Sequence, residues 1–173
     1  PYWLLFLLPA GMAFSPIKGD KNVNSILWVI VGLLCILMIG LRYKVGGDWG
    51  PYLKDLQHVQ RGVSGERIIT NSPFYVFLNM VAIRLGLGMG LGIYFVNLVC
   101  GALFMVGLMK YCRKQPMPWV ALTVAVPYLV CIVAMGYTRQ AAALGFLLWG
   151  LSILRKGNEH KFFGLILIGS LFH

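Results

Sequence analysis

Long apolar runs separated by short polar segments make up most of this sequence, and the pattern predicts membrane-spanning helices. Residues 25–41 and 93–109 are rich in Ile, Leu, Val and Phe and approach the ~20 residues that a transmembrane helix needs. The apolar runs that we interpret as membrane segments are 1–15, 25–41, 93–109, 119–135, 141–154 and 162–173. We therefore predict an all-α, polytopic transmembrane protein with about six membrane segments.

One long polar stretch, residues 42–72, interrupts this pattern after the second apolar run. It opens with the sequence RYKVGGDWGPY, which combines an arginine, two adjacent glycines, one aspartate and several aromatic residues. A carboxylate beside aromatic faces suits a sugar ligand. We predict that this stretch lies on the outer side of the membrane and carries part of the functional site.

The segment after the polar stretch is apolar but too short for a straight crossing. Residues 73–85 precede a glycine-rich stretch, 86–92, which we interpret as a break. One interpretation is a re-entrant half-helix on the outer side, which is tolerated where irregular backbone is buried in protein or lines a wet cavity. The alternative is two full crossings joined at the glycines, which would invert every later loop.

The distribution of basic residues predicts the orientation. Three short loops, 18–21, 110–114 and 155–161, carry two, three and three of the chain's 15 Lys and Arg residues. Short loops rich in these residues stay in the cytoplasm. With 93–109 as the one full crossing after the half-helix, residues 42–72, Arg139 and His173 all face outward and line one cavity.

Composition supports a membrane protein, since 59% of the residues are hydrophobic and 12% are charged. The net charge of +10 therefore reflects cytoplasmic loops, and we expect no nucleic-acid partner. The four cysteines lack metal-ligand spacing and are expected to pack helices. We interpret residues 1–173 as a single transmembrane domain that belongs to a longer protein.

Several residues of the polar stretch have both a functional and a structural interpretation. Asp48 follows two glycines, so it is either a turn residue or a functional one, as a general base or as an anchor for the acceptor sugar. Trp49 and Tyr52 either bind that sugar or anchor the chain at the membrane interface. Arg42 either binds substrate or extends towards the headgroups from the end of a span.

Four further residues are candidates because ionisable or polar groups near apolar segments are costly. Arg139 lies beside an apolar run with no acid near it in the sequence, and its planar guanidinium suits a diphosphate. Gln140 adds a possible hydrogen-bond donor, and Arg84 is a weaker candidate for substrate binding. His173 falls about 11 residues into the last predicted helix, close to mid-membrane at ~1.5 Å per residue, and is a second candidate proton acceptor.

The polar stretch resembles the signature of EpsG-like exopolysaccharide polymerases, relatives of the Wzy-type O-antigen polymerases. The matching residues there are Arg42, Val45, Gly46, Asp48 and Tyr52. The later residues that follow in the order of that family are Pro73-Phe-Tyr, Arg139-Gln-x-x-Ala143 and Phe172-His173. Ser72 departs from the pattern, because an acid is expected there.

The resemblance implies a polytopic enzyme of the broad GT-C type in the bacterial cytoplasmic membrane. It would join polyprenyl-diphosphate-linked oligosaccharide repeat units on the outer face of that membrane. Arg139 and Arg42 would then stabilise the leaving diphosphate, and Asp48 or His173 would accept the proton. No metal or cofactor is expected; the partners would be the lipid-linked substrate, membrane lipid and other polysaccharide-assembly proteins. The alternative is a non-enzymatic transporter or flippase that uses the same arginines to bind a lipid-linked or anionic solute.

Overall fold

The computed structural model describes residues 2–15, 21–62, 72–154 and 157–173, which form helices joined by short connections. In chain order the helices are α1 (Tyr2–Phe14), α2 (Lys21–Gly40), α3 (Trp49–Gln60), α4 (Pro73–Arg84), α5 (Gly88–Cys112), α6 (Pro118–Ala125, continued by a π-helical segment, Val126–Ala134), α7 (Thr138–Ile153) and α8 (Glu159–Ser170). The prediction of an all-α fold is confirmed.

Two of these helices, α2 with 20 residues and α5 with 25, are long and apolar enough to cross a membrane. Three shorter apolar helices accompany them, formed by α1, by α4 and by α6 with its π-helical continuation. The two clearest runs in the sequence therefore form the expected helices. The count of about six membrane segments stays a prediction, because length and composition single out only these two among the described residues.

The long helices α2 and α5 run antiparallel. Gly32 in α2 lies against the Met109 side chain of α5, and Gly40 lies against Leu98. Trp28 of α2 packs edge-on against Trp119 of α6, with the ring centroids 4.7 Å apart. Apolar residues of α1, α2, α5 and α6 share one buried core. Helices α1 and α2 also expose apolar side chains outside this core, such as Trp3 and Leu33.

Helices α5 and α7 run side by side in the same direction and approach each other closely through glycine. A Cβ atom on Gly145 would lie 2.6 Å from the Leu103 carbonyl oxygen, and one on Gly107 would collide with the Gly145 backbone. Small residues at such a crossing let two helix backbones touch, which is a common way to pack helices in membranes. Helix α8 then packs antiparallel on α7, with Gly169 against Ala143.

These directions divide the bundle into two ends. At one end, which we call the polar end, α2 and α8 finish while α3, α4 and α7 begin. At the other, the basic end, lie the described residues of two predicted basic loops, 110–114 and 157–161, which include the end of α5 and the start of α8. The predicted separation of the polar stretch from these basic loops is therefore found in the fold. Residues 18–20, 63–71 and 155–156, which belong to the predicted loops and polar stretch, lie outside the described residues.

Two details of the sequence interpretation need correction. The polar stretch contains α3, an amphipathic helix of 12 residues that the sequence interpretation lacked, and it buries Tyr52 and Leu56. The glycine-rich break is shorter than predicted, since α5 already begins at Gly88. Gly86 has a φ of +72° and supplies the turn that joins α4 to α5.

Helix α4 has the extent expected of the short segment, with 12 residues that begin at Pro73. It pairs with the first half of α5, because Ala82 lies against Gly92 close to the turn. At its start, the Phe74 N–H donates to the Leu171 carbonyl after α8, at 3.2 Å. α4 thus accompanies only part of α5, although its re-entrant character stays a prediction.

Candidate active site

Arg139 stands in the first turn of α7, at the polar end, and is half-buried. Its side chain is 28% exposed, and its Nη2 atom lies 4.0 Å from Oδ2 of Asp55, a residue of α3. The guanidinium carbon is 5.3 Å from the centre of the Tyr52 ring and 5.4 Å from that of Tyr75. The observation that Arg139 has no acid nearby holds along the sequence but is wrong in the folded chain, because α3 brings Asp55 to it.

Asp48 is connected to this arginine through Tyr52. The Tyr52 hydroxyl donates to Asp48 Oδ2 at 3.1 Å and accepts the backbone N–H of Arg139 at 3.4 Å. That N–H belongs to the first turn of α7, where backbone donors lack helical partners. Asp48 stands at the start of α3, with Tyr52 and Asp55 four and seven residues later. This spacing puts all three on one face of the helix.

Arg42 also lies at the start of α7 but is more deeply buried than Arg139, since only 6% of it is exposed. It donates to the Ala134 carbonyl at 2.6 Å, where the π-helical segment ends, and to Thr138 Oγ1 at 2.5 Å. Thr138 in turn donates to Asn97 Oδ1 of α5 at 3.0 Å. Arg42 therefore does not extend to a membrane surface; it joins α2 to the start of α7. Its predicted contact with substrate stays a prediction, and its burial favours an indirect role.

Gln140, the residue after Arg139, and His173 line a cleft of about 290 Å³ between α7 and α8. The floor of this cleft is apolar and includes Leu144 and Ile166. His173 is exposed and follows the end of α8 at Ser170, so its predicted place within a helix is wrong. The helix ends earlier because Leu171 and Phe172 form a turn, whose N–H groups bond to the carbonyls of Ile168 and Gly169.

The structure places the two remaining candidates differently. Trp49 is half-buried at the polar end, with its ring 6.0 Å from Tyr43 and 6.1 Å from Tyr94. Arg84 is exposed in the last turn of α4. It lies nine residues beyond Tyr75, which is about 13 Å along the helix. The residues around Arg139, which we call the Arg139 cluster, are Asp48, Tyr52, Asp55 and Tyr75. The fold does not bring Arg84 to this cluster, and the binding role of Arg84 stays a prediction.

Burial changes the acid–base properties of this cluster. It raises the pKa of the Asp55 carboxyl, while the charges of Arg139 and His58 oppose that effect. Burial also raises the pKa of the Tyr52 hydroxyl, against the opposing hydrogen bond from the Arg139 backbone. Tyr52 therefore stays protonated and able to donate to Asp48 at neutral pH.

Three residues were missed from the sequence: Asp55 and Tyr75, which contact Arg139, and Thr138, which accepts a hydrogen bond from Arg42. Asp55 could have been found by extending the face of Asp48 and Tyr52 along a helix, had α3 been recognised. Tyr75 belongs to the Pro73-Phe-Tyr segment, but its contact with Arg139 depends on how α4 packs. Among the described residues, no group of three or more His, Cys, Asp or Glu side chains comes together as a metal site.

Together, the fold and this cluster define an all-helical protein with candidate membrane spans, whose charged and aromatic residues converge at one end of the bundle. The chain belongs to the EpsG family, whose model matches residues 25–173. Neither the curated proteins nor the solved structures gave a significant match to the chain. Family membership indicates a role in exopolysaccharide biosynthesis and, with the two long apolar helices, a membrane protein.

Proposed function

We propose that this protein is a polysaccharide polymerase, a glycosyltransferase that joins polyprenyl-diphosphate-linked oligosaccharide repeat units. It acts as a multi-pass protein of the bacterial cytoplasmic membrane, with the polar end on the outer face. The observation that carries the proposal is the part-exposed Arg139 at the start of α7, joined through Tyr52 to the Asp48 carboxylate in a chain of the EpsG family.

The start of α7 suits a diphosphate for two reasons. The N-terminus of a helix carries partial positive charge, and Arg139 adds a full charge in its first turn. A guanidinium can also donate two parallel hydrogen bonds to phosphate oxygens. Preorganised donors of this kind stabilise negative charge that develops on a leaving group.

In the proposed reaction, a hydroxyl oxygen of the acceptor repeat unit bonds to the anomeric carbon of the growing chain. The bond between that carbon and the diphosphate oxygen breaks, and its electron pair leaves with the polyprenyl diphosphate. Asp48 accepts the hydroxyl proton. The link through Tyr52 to Arg139 favours Asp48 over His173 for this role, because no hydrogen bond or ion pair joins His173 to these residues in the described part of the chain.

The aromatic residues around Asp48 supply a surface for the acceptor sugar. Trp49 lies next to Asp48 and forms a group with Tyr43 and Tyr94. The reaction needs no cofactor in this proposal, and membrane lipid and other polysaccharide-assembly proteins would be its surroundings and partners.

The test is transfer between purified polyprenyl-diphosphate repeat units, measured as polymer length. Arg139→Ala should abolish transfer, and Arg139→Lys should impair it strongly, since lysine keeps the charge but loses the planar fork. Asp48→Asn should also abolish polymer formation while the protein remains at normal abundance. Gln60→Asn, an exposed change at the far end of α3, serves as a control that should polymerise normally.

Two results would contradict the proposal. Normal polymer from Arg139→Ala would remove the donor site from the start of α7. Transport of lipid-linked units across vesicle membranes, in the absence of any transfer by the wild-type protein, would favour the transporter or flippase instead.

A further inference from the structure

The acid that pairs with Arg139 has no role in the reaction described above. Asp55 is 17% exposed at its side chain, so the pair it forms with the 28%-exposed Arg139 is accessible from outside. The separation of 4.0 Å between Nη2 of Arg139 and Oδ2 of Asp55 is longer than the roughly 2.7–3.2 Å of a good N–H···O hydrogen bond. This contact is therefore a loose ion pair that another anion can replace.

Two aromatic rings also lie against the guanidinium of Arg139. The rings of Tyr52 and Tyr75 pack against the guanidinium. Both tyrosines are almost completely buried, with exposures of 2% and 1%, so the rings are fixed by packing. Asp55 contacts the Nη2 atom of this part-exposed guanidinium.

We propose that Asp55 is a specificity-determining residue that competes with the anionic ligand for Arg139. A carboxylate offers one negative charge, whereas a diphosphate offers more charge and two or more oxygens for bidentate binding. Only ligands with this charge and geometry displace Asp55 efficiently. The inference rests on the proposed function, because it takes Arg139 to be the diphosphate-binding residue.

Asp55 differs in this respect from the other acid of α3. Asp48 accepts the Tyr52 hydroxyl at 3.1 Å, and no contact between Asp48 and the Arg139 guanidinium is found among the described residues. The two carboxylates on one helix face therefore have separate tasks. Asp48 faces the acceptor, and Asp55 sets how strongly an anion must bind to occupy Arg139.

The experiment measures binding of inorganic pyrophosphate to the purified protein by titration calorimetry. Asp55→Asn keeps the size of the side chain and removes the competing charge, so we expect about two- to fivefold tighter binding, the range of a part-exposed ion pair. The matched control is Glu159→Gln, which removes the same charge from an exposed site at the basic end and should leave affinity unchanged. Arg139→Ala should abolish the binding.

The pH dependence separates competition from a merely structural role. The charged and titratable groups that act on or respond to Asp55 are His58 on the same helix, Arg139 on α7 and Tyr75 on α4. As the pH falls through the pKa of Asp55, which burial raises, the carboxylate is neutralised and stops competing. The ratio of affinities of Asp55→Asn and wild type should therefore fall towards one at low pH. The ionisation of pyrophosphate itself occurs with both proteins and cancels in this ratio.

The outcomes distinguish this inference from the proposed function. If Arg139→Ala abolishes binding but Asp55→Asn binds equally or more weakly than wild type at every pH, the competition is refuted while the donor site stands. If wild-type protein shows no Arg139-dependent binding of pyrophosphate, both the competition and the assignment of the donor site fail.

Discussion

Gly46 gives the sharpest test of how the polar stretch supports the start of α7. Its φ is +96°, and its backbone lies against the Met135–Gly136 connection just before that helix. A Cβ atom built on Gly46 would lie 2.5 Å from the Met135 carbonyl oxygen and 2.9 Å from the Gly136 Cα atom. Both are backbone atoms, so no side chain can rotate to relieve the contact.

The expected loss of stability for Gly46→Ala has two parts. A left-handed backbone costs a non-glycine residue about 1–2 kcal/mol. Overpacking against fixed atoms adds roughly 1–3 kcal/mol. A total of about 2–5 kcal/mol corresponds to a fall in Tm of roughly 4–20 °C for a chain of this size.

The neighbouring glycine is a matched control. Gly47 has no positive φ, and an added Cβ atom there would meet nothing within 4 Å. Gly47→Ala should therefore change stability by no more than about 0.5 kcal/mol. The assay is thermal unfolding of both purified variants in detergent, together with pyrophosphate binding, which should weaken only in Gly46→Ala because Arg139 is displaced. Equal Tm values for the two variants would show that the close approach to the α7 start is not needed.

Two further predictions concern the bundle as a whole. Gly145→Ala should lower Tm by several degrees, because its Cβ atom would lie 2.6 Å from backbone atoms of α5. The control is Gly164→Ala in α8, where an added Cβ atom would meet nothing within 4 Å, and this change should not lower Tm. Equal effects of these two alanines would contradict the packing. The second prediction concerns orientation and uses a protein whose own cysteines have been removed. A cysteine at Gln57 should react with an impermeant thiol reagent added outside intact cells, and a cysteine at Asn158 should not. The reverse labelling would place the polar end in the cytoplasm.

The helices themselves could be predicted because their signal is local. Each apolar run must satisfy its backbone hydrogen bonds within the segment, so length and hydrophobicity alone indicate α2 and α5. The short segment 73–85 was predicted in the same way and forms α4. The helix α3 was missed because its apolar positions, such as Tyr52 and Leu56, stand among polar residues and a proline.

The side-chain partners in the site could not be predicted from the sequence. Arg42 and Thr138 are 96 residues apart, and their hydrogen bond exists only because α2 and the π-helical segment end at the same level of the bundle. The same packing gives Arg139 an acid from α3 that no neighbouring sequence supplies. The sequence by itself determined which residue types reach the polar end and the helices that carry them. Tertiary structure alone decided that Arg42 is buried and Arg139 part-exposed, because burial depends on which helices surround a side chain.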